Sequence, residues 1–221
     1  MESLGRHTDY GQAGLLESDL AADPFDQFRL WLQQAEQNEI FEPNAMVLST
    51  QDPNGQLSSR TVLLKGLEHG PEKPGTFQFV TNYGSRKAKA LLEHPSVSLL
   101  FPWYSLKRQV IVYGTAKPAS AATSDALWNA RPRGAQLASM ASSQSQPISS
   151  RDDMDTALAA LEVLHPGDEP LARPANWGAF DVTPNAIEFW QGRSMRFHDR
   201  LRYELGSESA AGGWRIVRLQ P

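Results

Sequence analysis

Basic side chains are concentrated in residues 190–203, which read WQGRSMRFHDRLRY. Gly192-Arg193-Ser194 is typical of a tight turn, and beyond it the residues alternate as they do in a strand. One predicted face carries Arg196, His198, Arg200 and Arg202. The other carries Met195, Phe197, Leu201 and Tyr203, with Asp199 as the exception. Neighbours on one strand face lie about 6.5 Å apart, so either water or a bound anion must screen the basic row, and this segment alone leaves both open.

A second basic cluster, Ser85-Arg86-Lys87, lies at the predicted start of a helix. Ser85 is a favourable N-cap, but the helix dipole disfavours each cation in the first turn by about 0.3–1 kcal/mol. Free backbone N–H groups, a hydroxyl and two cations together favour an anion, and phosphate is the obvious one. Two solvated charges are the alternative, but the strand-to-helix turn at 82–84 favours a phosphate site.

Further cations lie at the ends of apolar elements. Arg60 and Lys65 enclose Thr61-Val62-Leu63-Leu64 in one predicted strand, and Arg131 and Arg133 follow a predicted helix. In an acidic protein this placement indicates that an anion is coordinated, although each piece alone is a weak signal.

Motifs for other chemistry are missing. The sequence has no G-x-G-x-x-G, Walker or G-x-S-x-G motif, and no histidine pair with H-E-x-x-H spacing, so no metal site is predicted. Glu188 is expected to face solvent rather than to act as a buried acid. Gln144 and Ser145 lie in a Ser/Gln-rich stretch (141–150) whose composition alone favours a plain linker.

Composition narrows the class of protein. The 221 residues carry a formal net charge of -4, which argues against nucleic-acid or anionic-membrane partners. The absence of cysteine excludes disulfides, thiolate nucleophiles and Cys-ligated metals, and fits a reducing cytoplasm. No apolar run resembles a signal peptide or a membrane span, so a cytoplasmic location without membrane attachment is expected.

The elements that must position these residues are mostly strands. Strands are predicted at 45–50, 60–65, 77–82, 97–101, 109–115, 177–182, 186–191, 195–203 and 214–219. Helices are predicted at 24–38, 85–94 and 122–130, and a further one opens at Ser150. Residues 1–22 are expected to form a mobile arm, and 23–221 a single domain. The pattern predicts a mainly β protein with peripheral helices (α+β), built on a small antiparallel β-barrel.

Several short motifs, in this order, resemble the pyridoxine/pyridoxamine 5′-phosphate oxidase family. They are RTVLLK, TNYGSRKA, SLLFPW, RQV, RPR, QSxxISSR, IEFWQG, RFHDR and the terminal RLQP, and the resemblance extends from about Tyr10 to Pro221. It implies a homodimeric split antiparallel β-barrel with FMN at the subunit interface. It also implies oxidation of pyridoxamine or pyridoxine 5′-phosphate to pyridoxal 5′-phosphate, with O₂ as acceptor and hydrogen peroxide as by-product.

The resemblance also implies site residues. The implied FMN contacts are Arg60, Thr61, Val62, Leu63, Leu64, Lys65, Val80, Thr81, Arg86, Lys87, Gln109, Gln144, Ser145, Trp190 and Arg200, with Arg86 and Lys87 on the FMN phosphate. The implied substrate contacts are Lys65, Leu127, Arg131, Ala135, Arg196, Phe197 and His198. Lys65 and Arg131 would hold the substrate phosphate, while Arg196 and His198 would be catalytic, assisting proton removal and steering the ring.

The chain departs from the family pattern at several positions. Leu127 and Ala135 stand where the family usually has Tyr and often Ser, both phosphate contacts, and Val80 stands where Tyr is common. The N-terminal lid motif R-x-x-Y has Tyr10, but its arginine, Arg6, is one place off. A neighbouring group such as Arg133 or Ser139 could fill the gap left by the two hydroxyls. The alternatives are a flavin oxidase of another reduced aromatic, such as a dihydrophenazine precursor, or a flavin- or pyridoxal-phosphate-binding module without turnover.

Overall fold

The protein folds as one antiparallel sheet of nine strands with five α-helices around it, in a computed structural model that describes residues 1–5, 7–70, 73–206 and 213–221. The strands are β1 Ala45–Gln51, β2 Leu57–Leu63, β3 Gly66–Gly70, β4 Lys73–Asn82, β5 Ser96–Trp103, β6 Arg108–Pro118, β7 Trp177–Gln191, β8 Asp199–Leu205 and β9 Trp214–Leu219. The helices are α1 Pro24–Gln37, α2 Arg86–Glu93, α3 Ala121–Asn129, α4 Arg133–Ala141 and α5 Arg151–Leu164. The predicted class, mainly β with peripheral helices, is confirmed.

The sheet divides at its longest strand, the 15-residue β7. One edge of β7 pairs with β6 along its length, while the other edge pairs with β4 over residues 177–182 and with β8 over residues 186–191. The register of β6 shifts at Gly114, where a Cβ atom would lie 2.4 Å from the backbone oxygen of Thr183. Glycine therefore permits the close backbone approach at the point where β7 changes partner.

Helix α1 covers the core of the sheet. It begins as predicted, with Pro24 in the first helical position and the Asp23 carboxylate accepting hydrogen bonds from two backbone N–H groups of the first turn. Phe25, Phe28 and Trp31 are buried on its inner face, packed against aromatic side chains of β4, β5 and β7. This packing fixes the sheet on which the functional residues lie.

The predicted strand at 195–203 is wrong in its first half. Ser194–Arg196 forms a 3₁₀ turn in which Met195 and Arg196 have φ of 54° and 61°, and the strand begins only at Asp199. Left-handed backbone interrupts the two-residue alternation, so Met195 and Phe197 are 92% and 73% exposed instead of facing the core. From Asp199 onward the predicted alternation holds, since Leu201 and Tyr203 are fully buried whereas Arg200 and Arg202 are not.

Other elements differ from the sequence prediction. Strand β3 and helix α4 were not predicted, and the two strands expected at 177–182 and 186–191 are one continuous strand. Helix α4 begins after Pro132, and no side chain caps its first turn. The sequence there lacks the Ser, Thr, Asp or Asn that indicates a helix start.

Candidate active site

A cavity of about 510 Å³ lies between β2, β4, the start of α2 and the 142–150 loop. We call it the cationic pocket. It is lined by Arg60, Thr61, Val62, Leu63, Lys65, Val80, Thr81, Arg86, Lys87, Arg131, Gln144 and Ser145. Every one of these residues was predicted from the sequence as a cofactor or substrate contact. Leu64 is the exception within its motif, because it is buried in the core and does not line the cavity.

The base of the cationic pocket is a hydrogen-bonded cluster around Lys87. Its Nζ lies 3.1 Å from Thr81 Oγ1, 3.5 Å from Ser85 Oγ and 2.8 Å from Gln144 Oε1. Ser85 also caps α2 by accepting a hydrogen bond from the backbone N–H of Ala88. Burial, and secondarily the charge of Arg60, lower the pKa of Lys87 to about 8. A cation held at this cost is stabilised by a bound anion.

The wall of the pocket presents two guanidinium groups. Arg60 is held by the backbone oxygen of Leu48 at 3.0 Å and by Thr50 Oγ1 at 2.8 Å. Arg86 Nη2 donates to Gln56 Oε1 at 3.0 Å, in the turn that joins β1 and β2. All charged residues that line the cavity are cations. The pocket therefore suits a phosphorylated ligand, as the Ser85-Arg86-Lys87 pattern predicts.

A second cavity, of about 400 Å³, adjoins the first and shares Val80, Thr81, Arg131 and Gln144 with it. We call it the Arg131 pocket. Its other lining residues are Asn82, Ala135, Ala138, Ser139, Ser142, Met154 and Trp177. It therefore contains predicted substrate residues and, in addition, residues of α4 and α5 that were not predicted.

Arg131 is firmly placed beside this second cavity. Its Nη2 donates to Ser139 Oγ at 3.1 Å and to the backbone oxygen of Ala135 at 3.3 Å, and its guanidinium lies 5.3 Å from the centre of the Trp177 ring. Its Nε is buried and has no hydrogen-bond partner within the described residues. A donor of this kind favours an acceptor supplied by a ligand.

Leu127 and Arg133 lie near the Arg131 pocket but do not line it. Leu127 packs against the small apolar cluster around Trp128 and Trp177 and lines neither cavity. Arg133 donates to the backbone oxygens of His165 at 2.8 Å and Glu169 at 2.6 Å. Its guanidinium therefore holds the end of α5 and does not contribute to the pocket.

The remaining predicted flavin residues lie together on the sheet, away from the cationic pocket. Gln109 pairs with Trp190, and Trp190 pairs with Arg200, so the three form one row across β6, β7 and β8. We call these three residues the sheet row, and none of them lines either cavity. The structure thus divides the predicted flavin contacts into two groups within a single chain.

Glu188 holds the arginine of the sheet row. Its carboxylate binds Arg200 through two hydrogen bonds, with Nε–Oε1 at 2.8 Å and Nη2–Oε2 at 3.2 Å. The side chain of Glu188 is 1% exposed, so the expectation that it faces solvent is wrong. The direct strand partner of Glu188 is Arg202, and Arg200 lies two positions from it on β8. The positive charge of Arg200 permits the burial of the Glu188 carboxylate.

His198 lies against the sheet row, after the left-handed turn. Its ring centroid is 4.6 Å from that of Trp190, and the backbone N–H of Arg193 donates to His198 Nδ1 at 3.1 Å. Burial, and then the charge of Arg196, lower the pKa of His198 below its usual value. The neutral ring with Nδ1 accepting carries its proton on Nε2.

The N-terminal segment covers this group. The ring of Tyr10 meets Trp190 and His198 edge-on, with centroids 5.9 Å and 5.3 Å apart. A Cβ atom on Gly192 would lie 2.5 Å from the Tyr10 ring, so glycine makes room for it. The backbone oxygen of Gly11 accepts from the N–H of Ser194 at 2.8 Å. Arg6 of the R-x-x-Y pattern lies outside the described residues, and the mobility of the arm stays a prediction.

Neither membrane-spanning helices nor metal-binding clusters are a feature of the described ranges. Among the helices described here, none combines the length and the apolar character needed to cross a membrane. In the same ranges, no three His, Cys, Asp or Glu side chains are grouped so that they could hold a metal ion.

The divided antiparallel sheet, with a cation-lined pocket beside it, defines a class: the split-barrel proteins. Residues 32–164 match the family model described as pyridoxamine 5′-phosphate oxidase, and residues 177–221 match the model of the pyridoxine 5′-phosphate oxidase C-terminal dimerisation region. The chain belongs to the pyridoxine/pyridoxamine 5′-phosphate oxidase family, a family of flavin-dependent oxidoreductases.

Three similar proteins illustrate the relationship. A pyridoxine/pyridoxamine 5′-phosphate oxidase of Rubrobacter xylanophilus is 47% identical over 217 residues, covering 98% of this chain and 95% of the relative. The crystal structure of PhzG from Burkholderia lata, in complex with tetrahydrophenazine-1-carboxylic acid, superposes with a TM-score of 0.85 at 29% identity, over 96% of this chain and 100% of that one. A pyridoxamine 5′-phosphate oxidase-related, FMN-binding protein of Nostoc punctiforme has a TM-score of 0.70 at 16% identity, over 91% and 100%, and shows the same fold.

Proposed function

We propose that this protein is an FMN-dependent oxidase that converts pyridoxamine or pyridoxine 5′-phosphate to pyridoxal 5′-phosphate. O₂ is the acceptor and hydrogen peroxide the by-product. The observation that carries the proposal is the cationic pocket, which is lined entirely by residues expected for FMN and the substrate phosphate. The 47% identical relative, named pyridoxine/pyridoxamine 5′-phosphate oxidase, supports the choice of substrate.

The residues present fit FMN. Arg86 and Lys87 would hold its phosphate, because the partly buried ammonium of Lys87 and the N-terminus of α2 both favour a dianion. Arg60 and Gln144, which also line the pocket, would donate to the rest of the cofactor. When bound, FMN supplies the two-electron acceptor for the substrate carbon and passes the electrons to O₂.

The substrate phosphate would bind between Lys65 and Arg131. Both residues line the cationic pocket, and Arg131 also borders the adjoining cavity, where its Nε has no hydrogen-bond partner among the described residues. This arrangement would anchor the substrate at its phosphate, a non-reacting part, and leave its ring to be oriented by other groups.

Arg196 and His198 would act on the pyridine ring. Because the backbone N–H of Arg193 occupies His198 Nδ1, the neutral imidazole offers an Nε2–H donor to the substrate. Arg196 lies in the exposed turn beside it and would add a second donor with a fixed charge. Both residues would orient the ring and stabilise negative charge that develops as the substrate loses its proton.

A homodimer would bring the two groups of flavin residues together. Gln109 is the first residue of the sheet row along the chain. The other two, Trp190 and Arg200, lie with His198 within residues 177–221, the part matched by the dimerisation region. Since the sheet row does not line the cationic pocket of its own chain, it would close the pocket of the partner protomer. Each dimer would then hold two FMN molecules at the interface.

A second candidate is a flavin oxidase of a reduced aromatic without phosphate. The likeness to PhzG favours it, and so does the absence of hydroxyl groups at Leu127 and Ala135. Against it, a dihydrophenazine carboxylate offers no phosphate for Arg131 and Lys65 to bind. A flavin-binding module without turnover is a third candidate, which the presence of Arg196 and His198 argues against.

Peroxide release with alternative substrates separates the three candidates. The protein reconstituted with FMN would be supplied with pyridoxamine 5′-phosphate, pyridoxamine or a dihydrophenazine carboxylate under air. We expect peroxide with the phosphorylated pyridine at a kcat/KM far above that for pyridoxamine. Preference for the dihydrophenazine would establish the second candidate, and no peroxide from any of them would establish the third.

A further inference from the structure

We propose that Ser139 is a specificity-determining residue that binds the substrate phosphate together with Arg131. The inference rests on the proposed function and deepens it, because it names the group that recognises the phosphate in the Arg131 pocket. Ser139 lies four residues after Ala135 on α4, so the two residues share one face of the helix. Ala135 carries no hydroxyl, and Ser139 supplies one to the same cavity from the next turn.

The contacts of Ser139 show that its hydroxyl is already oriented by the phosphate-binding arginine. Ser139 Oγ accepts from Arg131 Nη2 at 3.1 Å and donates to the backbone oxygen of Ala135 at 2.7 Å. Arg131 Nη2 also donates to that backbone oxygen at 3.3 Å. The Ser139 proton can therefore turn to a phosphate oxygen while the carbonyl keeps a donor from Arg131.

Arg131 itself is incomplete without a ligand. Its Nε is buried and has no partner among the described residues, although Nη2 makes two hydrogen bonds. A phosphate in the cavity would accept from this Nε and from the Ser139 hydroxyl at once. Two donors fixed relative to one another recognise a tetrahedral anion better than a single mobile cation does.

Arg133 is a neighbouring cation that could supply this contact, and its geometry excludes it. Both of its terminal nitrogens donate to backbone oxygens, those of His165 at the end of α5 and of Glu169 in the following loop. Moving Arg133 into the cavity would break both bonds. Thr81 and Ser142 also bring hydroxyl groups to this pocket, but among the described residues it is Ser139 whose hydroxyl is hydrogen-bonded to Arg131. Ser139 is therefore the hydroxyl group through which this pocket would distinguish a phosphorylated substrate from an unphosphorylated one.

The test measures substrate kinetics in Ser139→Ala, with Ser139→Thr as the conservative variant and Ser143→Ala as the control. Ser143 is exposed in the following loop and does not line the Arg131 pocket. A lost hydrogen bond to a charged group predicts an increase in KM for pyridoxamine 5′-phosphate of about tenfold or more, with little change in kcat. The inhibition constant of inorganic phosphate should rise by a similar factor. Ser139→Thr should restore both values, and Ser143→Ala should equal the wild type.

An unchanged KM and an unchanged phosphate inhibition constant in Ser139→Ala would overturn the proposal, and so would an equal effect on unphosphorylated pyridoxamine. Calorimetric binding of 4-deoxypyridoxine 5′-phosphate, which lacks the oxidisable group, separates this outcome from failure of the proposed function. If the wild type turns over no substrate but Ser139→Ala still binds this ligand about tenfold more weakly, the oxidase assignment fails and the role of Ser139 stands. If the wild type turns over its substrate and this binding is unchanged in the variant, the role of Ser139 fails alone.

Discussion

Glu188 and Arg200 form a two-point ion pair between neighbouring strands, and the two partners are very unequally buried. The carboxylate of Glu188 is 1% exposed, whereas the Arg200 side chain is 32% exposed and also donates to the backbone oxygen of Gln220. Hydrogen bonding to Glu188 raises the pKa of Arg200 above its usual value. Loss of the arginine would leave the buried carboxylate unpaired, while loss of the carboxylate would leave a cation that water can reach.

This inequality predicts different losses of stability. Arg200→Ala should lower the free energy of unfolding of the flavin-free protein by about 3 kcal/mol, because an unpaired buried carboxylate results. Glu188→Gln, which keeps the shape and one acceptor, should cost about 1 kcal/mol. Urea denaturation at neutral pH measures both. Equal losses, or a larger loss for Glu188→Gln, would show that the pair is not buried as described.

The lowered pKa of Lys87 predicts how FMN binding depends on pH. Its pKa of about 8 in the ligand-free protein means that the ammonium is charged below pH 8 and loses its proton above it. A phosphate dianion binds the charged form, so above pH 8 binding must be accompanied by proton uptake. The dissociation constant of FMN should therefore be nearly flat from pH 7 to 8 and rise by up to about tenfold per unit above that.

Lys87→Arg provides the matched control for this pH dependence, since guanidinium stays charged throughout the range. Its FMN affinity should be lower at pH 7 but flat up to pH 9.5 in a fluorescence titration. A wild-type curve as flat as that of Lys87→Arg would separate Lys87 from the phosphate.

The double variant Arg86→Ala, Lys87→Ala should lose FMN on dialysis while it stays folded. Both cations would contact the phosphate, and neither belongs to the buried core. Lys89→Ala is the control, because Lys89 is exposed on the same helix and does not line the pocket. Flavin absorbance after dialysis and far-ultraviolet circular dichroism give the two readings. Full flavin content in the double variant would refute the phosphate site.

A site shared between protomers predicts complementation between damaged chains. Lys87→Ala impairs the cationic pocket, and His198→Ala leaves FMN bound but lowers turnover from the other group of residues. A mixed dimer would combine the intact pocket of one chain with the intact His198 of the other in one of its two sites. Mixed dimers isolated with two affinity tags should therefore recover about half of the wild-type kcat per dimer. No recovery would mean that each chain builds its own site.

The sequence predicted which residues line the cationic pocket better than it predicted that the sheet row lies outside that pocket. Ser85, Arg86 and Lys87 could be recognised because capping and the helix dipole act within one turn. The burial of Glu188 could not, because it depends on Arg200, which lies on the neighbouring strand. Likewise, alternation alone could not reveal the left-handed residues Met195 and Arg196, which turn the segment before Asp199 out of the strand.

The arm and the Arg131 pocket show the same limit. Tyr10 contacts Trp190 and His198, which lie some 180 residues further along the chain, so no local pattern indicates the contact. Ser139 gave only a weak signal, since helix α4 itself was not predicted. Once that helix is placed, the four-residue spacing from Ala135 brings the hydroxyl to Arg131.

The central claim is tested most directly by the stoichiometry of a single reaction. The FMN-reconstituted protein is mixed with pyridoxamine 5′-phosphate under air, and pyridoxal 5′-phosphate, hydrogen peroxide and consumed O₂ are measured in the same sample. We predict catalytic turnover in which the three quantities are equal. When oxygen is removed, the pyridoxal 5′-phosphate formed should not exceed one equivalent of the bound FMN. Flavin-loaded protein that forms neither pyridoxal 5′-phosphate nor peroxide from this substrate, or from pyridoxine 5′-phosphate, would contradict the account.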